Sequence, residues 1–332
     1  MANRYFPFKV RWVMKNRCIL FKMAIVYFCI ILLACYSKVS AADKNINLLA
    51  STFPISQITR IVTNGRNNVN VKLMIPAQVG CPHDYALTPQ DMQKLSKADV
   101  LIINGLGMEE FLGAPLKKAN SSLKIIDSSN GINNILNYSD GDHHIEHTNE
   151  GDEHKHEHHE GNNPHLFASP RMAALLAINI AGKLSGIDPS GAAIYTENAR
   201  AYAKKMNKLA DDFSALGRQV KNKRIVTQHG VFDYLARDMG LKVVAVVQEH
   251  AGQEPSAAEM LNIVKTIRHE KAKAIFTEPQ YPQKIGQTIA KEAGIAAETL
   301  DPVATGPENA SLDYYETVMR KNLNILKKIL NE

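Results

Sequence analysis

Residues 192–216 contain neither glycine nor proline, and Asp188-Pro189-Ser190 stands just ahead of them as a helix start. The run predicts one uninterrupted helix, roughly 40–50 Å long at 1.5 Å per residue. One small lobe has no use for a helix of that length. The sequence on either side of it repeats the same rhythm.

Before it, short apolar runs at 46–51, 69–75, 98–104 and 123–129 read as strands, separated by helical patterns at 54–62, from Thr88 onward and at 109–118. Thr88-Pro89-Gln90-Asp91 carries a capping threonine, proline at the first helical position and a carboxylate in the first turn. Ser169-Pro170 opens a further helix to about 184. After the long helix, strands are expected at 223–228, 241–247, 272–278 and 296–301, with helices at 232–238, 256–270 and 283–293 and a closing helix at 312–330. Strands alternating with helices imply parallel sheets. The expected fold is α/β: two lobes, each with a mostly parallel four-stranded sheet flanked by helices, joined by one long rigid spine helix. The divisions are a signal peptide at 1–41, an N-terminal lobe at 42–186, the spine at 187–221 and a C-terminal lobe at 222–332.

The N-terminus reads as a secretory signal. Lys15, Arg17 and Lys22 precede an apolar stretch at 23–35 that is short for a membrane span, and Val39-Ser40-Ala41 fits cleavage before Ala42. A lipid anchor on Cys35, within Leu32-Leu33-Ala34-Cys35, is the alternative. Seven basic residues (Arg4, Lys9, Arg11, Lys15, Arg17, Lys22, Lys38) and no acid precede Ala42, so the formal charge of +6 becomes −1 without them. No basic patch remains to argue for nucleic acid. Cys18, Cys29 and Cys35 fall in the signal, so Cys81 alone is left and no internal disulfide is expected.

Residues 139–162 interrupt the N-terminal lobe with a polar stretch holding His143, His144, His147, His154, His156, His158 and His159 among Asp and Glu. It cannot bury enough apolar surface to offset its ordering entropy, so a loop is expected. Imidazole and carboxylate suit borderline divalent metals. The loop reads as an accessory, low-affinity collector. In open α/β sheets ligands bind outside the carboxyl ends of strands. His83, His165, His229 and Asp301 each follow such an end, two from each lobe. Three imidazoles and a carboxylate complete a tetrahedral zinc shell. Singly, each has a plainer reading: a hydrogen-bonded histidine at a strand end, or for Asp301 a turn before Pro302.

Several segments resemble one family in sequence order. They are Pro82-His83-Asp84-Tyr85-Ala86-Leu87-Thr88-Pro89, Asn104-Gly105-Leu106-Gly107-Met108-Glu109, Asn163-Pro164-His165-Leu166-Phe167-Ala168-Ser169-Pro170, Gln228-His229-Gly230-Val231-Phe232-Asp233-Tyr234-Leu235, Glu254-Pro255-Ser256 and Leu300-Asp301-Pro302. From about residue 46 onward the chain is similar to the metal-binding solute receptors of ABC importers, nearest to the zinc receptors of the ZnuA-like group. The resemblance implies two lobes on a rigid helix and Zn2+ held by His83, His165, His229 and Asp301. It also implies delivery to an inner-membrane ABC permease with its cytoplasmic ATPase, with a periplasmic zinc chaperone as a further candidate partner. A periplasmic monomer is expected. Manganese-type relatives carry Glu at the position of His229, and imidazole there fits zinc better. Three positions depart from the family pattern: Asn163 stands where Asp is usual, Phe167 where Trp is common, and Cys81 where Asp or another polar residue is usual. Some relatives use water as the fourth ligand, so Asp301 is the least certain of the set.

Rival classes are weaker. A manganese or other divalent-metal receptor shares most of the features. A metal-buffering or adhesin-type surface protein would make the His-rich loop the active part. A zinc enzyme would need a base, and Glu249, Glu254 and Glu278 qualify only by type; H-E-x-x-H is absent, and so is a phosphate loop of P-loop spacing. His250 falls in a loop after a strand, where a structural or solvent role is the plainer reading. His269, between Arg268 and Glu270, reads as a solvated helix residue.

Overall fold

The structure, a computed structural model, describes residues 45–80, 82, 85–137, 161–248 and 254–331. The expected signal, the His-rich cluster, Cys81, His83, Glu249 and His250 lie outside them. The first half runs β1 (Ile46–Ala50), α1 (Phe53–Val62), β2 (Val69–Leu73), α2 (Pro89–Lys97), β3 (Val100–Ile103), α3 (Gly113–Ala119) and β4 (Lys124–Asp127). Then come α4 (Pro170–Ile187) and α5 (Ala192–Gln219). The second half runs β5 (Arg224–Thr227), α6 (Asp233–Met239), β6 (Lys242–Val246), α7 (Ala257–Glu270), β7 (Ala274–Thr277), α8 (Lys284–Ala293), β8 (Ala296–Thr299) and α9 (Tyr314–Asn331).

The strands form two four-stranded sheets, ordered β2-β1-β3-β4 and β6-β5-β7-β8, with every pairing parallel. A parallel sheet is covered on both faces, which is why Val100, Leu101 and Ile102 are apolar and buried in succession. In each sheet the direction of strand addition reverses between the first and third strands. A crevice forms there, outside their carboxyl ends.

Thr88 caps α2 as its sequence suggests: its hydroxyl accepts from the Asp91 N–H at 3.2 Å, and Asp91 Oδ2 accepts from the Thr88 N–H at 3.0 Å. The helix expected over 109–118 is instead broken. A 3-10 turn at Glu110–Leu112 gives way to α3 at Gly113, whose φ is +25°. Several expected strands run past their regular ladders, although ladder-like bonds continue beyond them, as from Met74 N–H to the Ala50 carbonyl at 2.8 Å.

The long helix is α5, 28 residues. A 3-10 turn at Pro189–Gly191 precedes it, so its regular part starts later than Asp188. It buries Tyr195, Ala199, Tyr202, Met206, Leu209, Phe213 and Leu216, a spacing that keeps one stripe facing inward along α4. Asp188 at the joint accepts from Arg66, Ser190 and the Tyr195 hydroxyl. Burial raises its pKa, but these donors outweigh burial and hold it well below the usual carboxylate range. One end of α5 is tied to the first half, where Asn198 Nδ2 donates to the carbonyls of Val62 and Asn64 at 3.1 and 2.8 Å. The other end is tied to the second half: Ser214 Oγ donates to the Asp238 carbonyl at 2.7 Å. Gly217 packs so closely there that a Cβ would lie 1.9 Å from the Met239 carbonyl oxygen.

The two halves do not keep separate cores. One buried cluster runs continuously from Leu48 and Phe53 through Met172, Tyr202 and Phe213 to Tyr234, Phe276 and Tyr315. Two smaller clusters are confined to single halves, one around Leu49, Met74 and Leu101, the other around Val226, Ile267 and Ile289. The spine is therefore half of a helical hairpin that forms the middle layer of a shared core.

Candidate metal centre

His229 follows β5 and sits at the crevice of the second sheet. Glu278 follows β7, the neighbouring strand. Parallel pairing of the two strands aligns their ends, and His229 Nδ1 lies 2.5 Å from Glu278 Oε1. Both side chains are buried. A carboxylate accepts and imidazole must donate, so the proton belongs on Nδ1 and the lone pair on Nε2. The carboxylate is itself held. Gln280 Nε2 donates to Glu278 Oε2 at 2.7 Å, and the Glu278 N–H donates to Gln228 Oε1 at 3.0 Å.

His165 comes from the other half of the chain. It follows the segment after β4, at the start of a 3-10 turn over Leu166–Ala168. An antiparallel bridge between Asn137 and Asn162 brings that segment together shortly before it. Asn104 Nδ2, at the end of β3, donates to the Pro164 carbonyl at 2.8 Å. His165 is wholly buried, with Nδ1 2.8 Å from Asn163 Oδ1. The rings of His165 and His229 meet edge to face, their centroids 5.2 Å apart. Phe167 and Tyr281 stand edge-on to them, at 6.0 Å from His165 and 5.8 Å from His229 respectively.

Asp301 follows β8. Its Oδ1 accepts from the Val303 N–H at 2.8 Å, and Asn322 bonds both its N–H and its carbonyl. Val303 is buried at φ +63°, an uncommon conformation for a β-branched residue. Burial pushes the Asp301 carboxyl above its ordinary range, against the Val303 N–H and Lys321, and the charge of Glu278 adds to the rise. Among the described residues no three His, Cys, Asp or Glu side chains gather as a metal-sized set. Of the four expected ligands, the fold brings His165 and His229 together, gives Asp301 a turn-forming bond nearby, and leaves His83 outside the described residues.

Three further residues shape the site. Glu278, which the sequence offers only as a candidate base or a strand end, backs His229. Asn163 replaces a family carboxylate yet fills its place beside His165. Glu109 is buried at the first crevice, where its carboxylate accepts from Ser51 Oγ at 2.6 Å and from the N–H groups of Asn104 and Gly105 at 2.7 and 3.1 Å. Burial, only partly opposed by these donors, pushes its pKa up to about 7. The signal for all three is position next to a strand end or a candidate ligand. Of the other candidates, Glu254 is exposed just ahead of the Ser256 cap of α7, and His269 is exposed beside Glu270.

Among the described residues no helix is long and apolar enough to cross a membrane. The chain is similar to the zinc-binding lipoprotein AdcA of Streptococcus pneumoniae, 28% identical over 307 residues that cover 92% of this chain and 60% of that protein. It thus spans about 60% of that relative's length. It is also similar to the high-affinity zinc uptake system protein ZnuA of Bacillus subtilis, 29% identical over 295 residues, covering 88% and 89% of the two chains. Among solved structures, the SBP FpvC of P. aeruginosa in complex with Ni2+ aligns with a TM-score of 0.72 and 26% identity, covering 87% of this chain and 97% of that one. The family described as zinc-uptake complex component A, periplasmic, matches residues 48–329, and the chain belongs to that family.

Proposed function

We propose that this protein captures Zn2+ between its two halves and hands it to an inner-membrane ABC permease driven by its own cytoplasmic ATPase. The observation that carries the reading is the pair of buried imidazoles, one from each half, whose Nδ1 atoms each face an acceptor. That tautomer puts the lone pair of each ring on Nε2, the state a metal requires. His83 and Asp301 complete the proposed ligand set. In this reading Asp301 turns from its bond to Val303 when metal arrives. The chain is a receptor, not an enzyme, working in the periplasm as a monomer after removal of residues 1–41, with the histidines at 143–159 as a low-affinity collector. Soft imidazole ligands favour zinc over manganese.

The test is direct titration of the metal-free protein with Zn2+, Ni2+ and Mn2+, with His165→Ala and His229→Ala alongside. Zinc is expected to bind tightest. Each substitution should cost more than the roughly 10–100-fold typical of losing an outer-shell partner. Zinc affinity unchanged in both variants sinks the reading. Loss of tight binding on deleting 143–159 moves the function to the His-rich loop.

A further inference from the structure

Asn163 touches both halves of the molecule at once. Its side chain is fully buried. Nδ2 donates to the Gly230 carbonyl at 2.8 Å and to Asp233 Oδ2 at 2.9 Å. Oδ1 accepts from the His165 N–H at 3.0 Å and lies 2.8 Å from His165 Nδ1. The backbone is fixed too: the Asn163 N–H donates to the Leu136 carbonyl at 2.7 Å, and its carbonyl accepts from the Tyr234 hydroxyl at 2.7 Å.

These bonds leave the amide one orientation. Gly230 and Asp233 offer only acceptors, so the NH2 must face them and both its hydrogens are used. The oxygen then faces His165, and an amide oxygen can only accept. His165 must therefore carry its proton on Nδ1. Gly230 is also the residue after His229, so one side chain sets the tautomer of one histidine and anchors the chain beside the other. Aspartate could do the first of these. It could not do the second, since it has no hydrogen for the Gly230 carbonyl and would stand carboxylate to carboxylate against Asp233.

We propose that Asn163 is a positioning residue that assembles the His165–His229 pair before metal arrives, and that Asn163 and Asp233 form a matched donor–acceptor pair across the two halves. The proposal rests on the zinc-receptor reading for its consequence, whereas the arrangement itself belongs to the metal-free protein. The asparagine at a position where carboxylate is usual is thus complementary to its own neighbour.

The test combines a spectroscopic and a thermodynamic readout on the full chain. Long-range 15N–1H correlation spectra of the metal-free protein report the His165 tautomer. Wild type and Asn163→Asp should both show Nδ1–H, and Asn163→Ala should show a mixture. Zinc titrations should find Asn163→Asp weakened roughly 10–100-fold. The double variant Asn163→Asp/Asp233→Asn restores a donor facing an acceptor and should recover much of that loss. Recovery is partial because the Gly230 carbonyl still faces an oxygen. A double variant no better than Asn163→Asp, or an Nε2–H tautomer in wild type, overturns the proposal. If wild type fails to bind zinc, the receptor reading falls. The spectra, together with a double-mutant cycle on urea unfolding of the metal-free protein, still decide whether Asn163 does this work.

Discussion

The two sheets share a strand order, and each places a buried glutamate at its crevice, yet the two carboxylates do different things. Glu109 accepts from a hydroxyl and two backbone N–H groups and ties the ends of β1 and β3 together. Glu278 faces an imidazole and a glutamine amide. One crevice is closed into a frame and the other is used to aim a ligand. The first half still contributes a histidine to the site, but from the segment after β4, and that histidine is backed by an amide instead of a carboxylate. Topology fixes where a crevice forms. Which side chain fills it decides whether it becomes chemistry.

The largest effect should come from the frame. Gly105, at φ +90°, leaves no room for a Cβ, which would lie 2.1 Å from Asp127 Oδ1 and 2.3 Å from Ser129 Oγ. Gly105→Ala should lose roughly 4 kcal/mol of stability, combining overpacking with a strained backbone. Urea unfolding measures it. A loss under about 1 kcal/mol, the scale of the backbone penalty alone, means that the first crevice is far less rigid than its hydrogen bonds imply.

Next is the pH dependence of that frame. The Glu109 pKa rises from an ordinary 4.5 to about 7 in the folded protein. The folded state then holds a proton that the unfolded chain releases above pH 4.5. Stability from this group is fully present below pH 4.5 and is lost by about pH 7, a change of about 3 kcal/mol. Glu109→Gln should flatten that part of the stability profile, read as the difference between wild type and variant at pH 5 and pH 8. Parallel profiles refute the assignment. Zinc affinity should hardly change, because this carboxylate touches no candidate ligand.

Glu278→Gln probes the other side of the contrast. It keeps an acceptor for His229 Nδ1 but removes the charge, making both histidines amide-backed. It also sets an NH2 against the Gln280 amide. Zinc binding should weaken roughly 10–100-fold, the range for disturbing a histidine's outer partner. If Glu278→Gln and Glu109→Gln change zinc affinity equally, the functional distinction between the crevices is wrong.

The sequence made the two βα runs, the long helix and the Thr88 cap legible, because each depends on residues within a turn or two of one another. It also put His165 and His229 near strand ends. Strand order was not legible, since it rests on pairings such as Val226 with Ile275 across almost fifty residues. Without that order nothing identifies Glu278 as the neighbour of His229, and Glu278-Pro279 reads as a strand end. The shared core was hidden for the same reason: α5 announces its length and its buried stripe, but not that the stripe serves both sheets. Asn163 read as a lost carboxylate because its partner Asp233 is seventy residues away.

Asp301 gives the smallest and most discriminating effect. Its Oδ1 is already bonded to the Val303 N–H, and burial disfavours its charge. To reach a metal it must exchange that bond for coordination, so part of the gain is lost to breaking the turn. Asp301→Asn keeps an acceptor for Val303 and removes the anionic ligand. Zinc affinity should fall by less than about tenfold, under about 1.4 kcal/mol, because water can take the fourth position. Stability of the metal-free protein should stay level or rise slightly, since the variant no longer buries an ionisable carboxyl. A loss as large as that of His229→Ala would make Asp301 a full partner of the histidines. The second half would then supply both a carboxylate ligand and the carboxylate that aims its imidazole, and the contrast with the first half would be sharper still.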